Sequence, residues 1–156
     1  MSQPFGEEEA KKEEVLIASE ALMQLMNTYQ SKGEPEACIS ALEEIFDSSP
    51  IIKEYYLRDF YSVMGYALSR TEKMKEAEEA TLKVFTLPLN NPTAERLFRD
   101  YAYAASVFYS NPDYQNDVII WCQEALQQAE LCENTSGKQW VAAMLGAVHK
   151  RNGQLN

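Results

Sequence analysis

The chain has 156 residues and a formal net charge of −10, from 24 acidic against 14 basic side chains. That length suits one domain able to bury roughly 68 to 70% of its unfolded surface. The acidic balance excludes nucleic acid as the expected partner, because phosphate contacts need clusters of Lys and Arg, and it disfavours anionic membranes. No stretch approaches the roughly 20 apolar residues of a membrane span, and the start Met1-Ser2-Gln3-Pro4-Phe5-Gly6-Glu7 lacks a basic region followed by an apolar one. The expected setting is cytoplasmic.

Residues 1–11 are acidic and polar and read as a disordered lead-in, with Glu7-Glu8-Glu9 as solvated charge. From about residue 12 the apolar spacing becomes helical. Val15, Ala18, Leu22, Leu25, Met26 and Tyr29 form one stripe of a helix over 12–32 that ends at Gly33. Pro35 opens the next helix, 35–48, whose stripe is Cys38, Ala41, Leu42, Ile45 and Phe46. Ser49-Pro50, Asn91-Pro92 and Asn111-Pro112 each place a capping side chain before a proline suited to the first helical turn. The further helices predicted are 51–70, 72–87, 92–110, 113–132 and 137–151. No segment alternates with period two for the length of a strand, so the predicted class is all-α, with the helical domain spanning 12–156.

The helices repeat. The small or turn-proximal positions Met26, Gly65, Ser106 and Gly146 are spaced by 39, 41 and 40 residues, and such a period signals stacked helix pairs. The plainest copy runs Tyr61, Met64-Gly65, Leu68, Ala77, Val84-Phe85 and Leu87-Pro88, and the last begins Leu145-Gly146 and reaches Gly153. This resembles the tetratricopeptide repeat family, whose motif places an aromatic, Leu-Gly and Tyr on a first helix and Ala and Phe on a second. The resemblance implies a right-handed α-α superhelix of three helix pairs plus a seventh C-terminal helix. A period longer than the family's 34 residues implies longer helices or connections.

By this resemblance one face of every first helix lines a shared concave groove that binds a peptide or helix of another protein. The positions carried over are Glu20, Met23, Gln24 and Asn27, then Asp59, Ser62, Val63 and Tyr66, then Asp100, Tyr103, Ala104 and Val107, then Trp140, Ala143, Met144, Lys150 and Arg151. Tyr and Trp supply stiff contact area with a polar handle, which suits peptide anchoring. The family's clamp for a C-terminal carboxylate needs cations and asparagines, and only Asn27 stands where one is required, with Met23, Val63, Asp100 and Ala104 at the others. An apolar or basic segment is therefore the expected partner. Tyr55, Tyr56, Phe60, Phe108 and Tyr114 are expected in the core.

Trp140, Val141, Met144, Leu145 and Val148 make the last helix apolar on more than one side, so Trp140, Met144, Leu145 and Val148 are a candidate contact for a homodimer or a further repeat. A self-associating scaffold and a peptide-sensing regulatory domain are the alternatives to a chaperone or assembly adaptor.

No catalytic constellation emerges. The single histidine, His149, falls on the core stripe of the last helix, and no His, Cys and carboxylate set has metal-ligand spacing. Cys38, Cys122 and Cys132 are odd in number without a CxxC, and read as reduced packing residues. Asn134-Thr135-Ser136 reads as a helix start rather than a glycosylation site. The sequence thus predicts a non-enzymatic binding module without metal or cofactor.

Overall fold

The computed structural model describes position 24, residues 32–89 and residues 92–155. Over these residues every regular element is helical: α1 (Pro35–Ser48), α2 (Pro50–Tyr55), α3 (Leu57–Ser69), α4 (Met74–Val84), α5 (Ala94–Phe108), a 3-10 turn (Pro112–Tyr114), α6 (Gln115–Leu131) and α7 (Thr135–Leu155). The all-α class is as the periodicity predicts. Most of the helix expected over 12–32 lies outside the described residues, but Gly33, its expected end, takes φ +67°, a conformation glycine adopts at little cost.

The boundaries differ where local chemistry intervenes. The expected single helix 51–70 is broken at Tyr56, which adopts φ −121° and ψ 23°. Hydrogen bonding runs through the break, since the Tyr56 amide donates to the Ile52 carbonyl at 3.0 Å and the Phe60 amide to the Tyr56 carbonyl at 2.9 Å. The turn buries the Tyr56 ring beneath the Arg96 guanidinium, 5.5 Å from its centroid. Asn91 lies outside the described residues, and Thr93 caps α5 by accepting the Arg96 amide. Asn111 caps the 3-10 turn, and Asn134, whose Oδ1 accepts the Gly137 amide, starts α7 two residues earlier than expected.

Successive helices pack in series. α3 lies against α4, α5 against α6 and α6 against α7, while α1, α3, α5 and α7 each touch the next member of that row. Burial repeats with the chain. The order of buried, half-buried and exposed positions over 59–73 recurs unchanged over 99–113, a shift of 40. In the second helices the buried pairs Ala77 and Val118, Thr81 and Cys122, and Val84 and Ala125 are 41 apart. The extra residue is therefore absorbed at the 3-10 turn. Burial also pairs Gly65 with Ala105 rather than with Ser106, one residue from the alignment that motif matching gives.

α7 ends the repetition. Its fully buried Val141 and Val148 share one side with half-buried Trp140, Met144 and Leu145. The opposite side carries exposed Ala142, Ala143, Gly146, His149 and Lys150. The large apolar side chains thus gather on one side of the helix, not on several, and His149 lies on the solvent side instead of the core stripe. Tyr56, Phe60 and Phe108 are core residues, with Tyr55 and Tyr114 packed partly buried against them. Among the described residues no helix is long and apolar enough to cross a membrane.

Two glycines separate close packing from open surface. A Cβ at Gly65 would come within 2.4 Å of Thr81 Oγ1 and 3.2 Å of the Ala77 carbonyl oxygen, whereas one at Gly146 meets nothing within 4 Å. Gly65→Ala should destabilise the fold by about 1 to 3 kcal/mol through overpacking, with part recovered by adding Thr81→Ala. Gly146→Ala should stabilise it by about 0.5 to 1 kcal/mol through helix propensity. Urea unfolding of the three variants checks both signs.

Candidate functional site

Two side-chain systems cross the α3, α5 and α7 row. The first is aromatic. Tyr66 on α3 and Tyr103 on α5 stack with centroids 4.3 Å apart and an interplanar angle of 18°. Trp140 on α7 stands edge-on to both, 6.1 Å from Tyr66 at 83° and 6.3 Å from Tyr103 at 68°. Such ring pairs contribute about 0.5 to 1.5 kcal/mol each beyond area burial, so the trio joins three consecutive members of the row. Arg70, exposed at the end of α3, lies over the Tyr66 ring at 5.9 Å. Tyr66, Trp140 and Met144 remain partly exposed, giving a stiff aromatic surface with apolar area and polar edges.

The second system is ionic and buried. Asp59 on α3 and Asp100 on α5 are 3% and 2% exposed. Arg96 grips Asp59 with two parallel bonds, Nε to Oδ1 at 2.9 Å and Nη2 to Oδ2 at 2.6 Å. Arg99 Nη2 also donates to Asp59 Oδ1, and it reaches Asp100 Oδ1 at 3.3 Å. Arg58 Nε donates to Asp100 Oδ2 at 2.9 Å, its Nη1 donates to the Leu87 carbonyl at 3.2 Å, and its guanidinium covers the Phe85 ring at 5.6 Å. Each helix contributes an Arg-Asp step, Arg58-Asp59 and Arg99-Asp100, and each Arg pairs with the Asp of the other helix. Burial pushes the Asp59 carboxyl up, but the adjoining Arg99 and Arg96 charges and hydrogen bonds outweigh it and hold it below the usual aspartate value.

Of the residues singled out for a groove, the structure brings Tyr66, Tyr103 and Trp140 into contact, with Met144 one helical turn beyond Trp140. Asn27 lies outside the described residues. Val63, at 1% exposure, offers no surface to a ligand. Asp59 and Asp100 are enclosed by arginines, so neither of these expected groove carboxylates lines an open edge. For the suggested dimer or next-repeat contact, Val148 is fully buried, and Trp140, Met144 and Leu145 are partly buried against the core.

Arg58, Arg96 and Arg99 were not singled out by sequence reasoning, although the Arg-Asp step recurring 41 residues apart was the visible signal. A third polar cluster ties α7 down. Arg151 Nη2 donates to the Tyr109 carbonyl at 2.7 Å and to Gln115 Oε1 at 2.6 Å, with its guanidinium 4.6 Å from the Tyr109 ring centroid. Burial pushes the Cys122 thiol up to about 11, so it stays protonated near neutrality. Among the described residues no group of three or more His, Cys, Asp or Glu side chains could hold a metal ion.

Comparison with protein-family models, with curated proteins and with solved structures finds no match to this chain.

Because the folded-state pKa of Asp59 is depressed, its stabilising contribution is present above the unfolded value, about 3.9, and is lost as pH falls through the folded value. Asp59→Asn should lose about 3 kcal/mol at pH 7 by leaving buried arginine charge undercompensated. The gap between wild type and variant should narrow below about pH 4. Denaturant titrations across pH check this, and an unchanging gap would contradict the assignment.

Proposed function

We propose that the protein is a non-enzymatic protein-protein interaction module, an adaptor or assembly factor built as a superhelix of helix pairs, which seats an apolar peptide or helix of a partner against its α3, α5 and α7 row. The observation that carries this reading is the aromatic trio. Three rings from three consecutive helices meet, and two of them, Tyr66 and Trp140, keep part of their surface in solvent beside Met144. A purely internal aromatic cluster would bury all three. Stiff aromatic groups that hold contact area at low entropic cost dominate protein interfaces.

The second reading, self-association through α7, has less area to use. The exposed side of α7 holds small and polar residues, and its fully buried valines are unavailable. Two copies meeting through this side would also bring together helices that each carry Lys138, Lys150 and Arg151 and no acid.

Trp140→Ala should reduce binding of a captured protein partner at least tenfold, the scale of an interface anchor, measured well below an unfolding midpoint that loss of the ring contacts with Tyr66 and Tyr103 also lowers. Leu131→Ala removes a side chain that is 72% exposed on α6 and should leave binding unchanged. Isothermal titration with the partner checks the pair. Loss of binding in Leu131→Ala with retention in Trp140→Ala would place the interface elsewhere.

A further inference from the structure

The chain's acidity is not spread evenly over its helices. α1 carries Glu36, Glu43, Glu44 and Asp47 with no cation, α6 carries Asp117, Glu124 and Glu130 with no cation, and α4 carries three glutamates against two lysines. These three helices hold a net −8. The α3, α5 and α7 row holds the opposite sign. α3 and α5 balance internally, and α7 has Lys138, Lys150 and Arg151 with no acid, giving the row a net +3. Burial takes Asp59 and Asp100 off the surface together with the arginines that enclose them, Lys138 pairs with Glu130 of α6, and Glu95 is the exposed carboxylate of the row among the described residues.

The cations also lie beside the rings. Arg70 covers the Tyr66 ring, and Arg151 shares a stripe of α7 with Trp140 and Met144 at spacings of four and seven residues. Lys150 is exposed on the other side of α7 and adds to its positive charge at longer range. A basic segment approaching these rings meets like charge, whereas carboxylates are drawn toward the row and repelled by the helices packed on it.

We propose that the segment seated on the aromatic face is acidic as well as apolar: an amphipathic stretch of another protein whose apolar side covers Tyr66, Trp140 and Met144 and whose carboxylates meet Arg70 and Arg151. The inference rests on the binding face assigned above. It concerns side-chain carboxylates along a segment and requires no terminal carboxylate.

The test uses two peptides of about twelve residues with one apolar frame at i, i+3, i+4 and i+7, the polar positions being all Glu in one and all Lys in the other. Trp121→Phe leaves Trp140 as the sole tryptophan and its emission as the readout. The Glu peptide should bind at least tenfold more tightly than the Lys peptide. Its affinity should fall as ionic strength rises, because exposed charge pairs are screened. Arg70→Glu, at an exposed position, should narrow the preference several-fold with an unchanged unfolding midpoint. Equal or tighter binding of the Lys peptide overturns the charge inference and leaves the binding face standing. Binding of neither peptide removes the face as well, and the inference with it.

Discussion

The crossed pairing of Arg58 with Asp100 and of Arg99 with Asp59 constrains the rest of the molecule. A buried carboxylate costs several kcal/mol in lost hydration, and an arginine partner offsets this only with good geometry. The pairs therefore penalise any slide of α3 past α5, since one helical turn of displacement would strand charges inside the core. Apolar packing alone is more forgiving of shape change. The aromatic trio depends on this fixed register, because Tyr66 and Tyr103 stack only when α3 and α5 are held at one relative height.

A different device holds α7. No Arg-Asp step occurs in it, and its attachment combines buried Val141 and Val148, the edge-on Trp140 ring and the Arg151 clamp on the corner between α5 and α6. The exposed Lys138 and Glu130 pair between α6 and α7 adds little. The row thus passes from an ionic lock at α3 and α5 to an aromatic and hydrogen-bonded joint at α7. Among the described residues of α3, α5 and α7, Glu95 is the carboxylate that stands outside the arginine pairs.

Much of the fold was legible because helices announce themselves locally. The stripe Cys38, Leu42, Ile45 marked α1 with its bounds, and the near-forty spacing of Gly65, Ser106 and Gly146 marked the series of helix pairs. The break at Tyr56 was not legible, since it answers to Arg96, a residue forty positions away on another helix. The one-residue shift at the 3-10 turn was hidden for a related reason: motif matching follows residue identity, whereas packing follows the height at which each side chain meets its neighbour. At the candidate site the rings Tyr66, Tyr103 and Trp140 were recognisable from type and position. The fate of Asp59 and Asp100 was not, because whether a carboxylate lines a groove or enters a pair depends on which arginines the neighbouring helix brings within 3 Å.

The central claim is that the Arg99 and Asp59 pair acts as a unit that sets the α3 and α5 register and, through it, the aromatic face. A double-mutant cycle of Asp59→Asn and Arg99→Met, read by urea unfolding with Trp140 as the sole tryptophan, tests it most directly. The account predicts a coupling energy of about 2 kcal/mol or more, with the double variant recovering much of the loss of the worse single one, and a Trp140 emission shift in each single variant. Additive losses with unaltered Trp140 emission would contradict it.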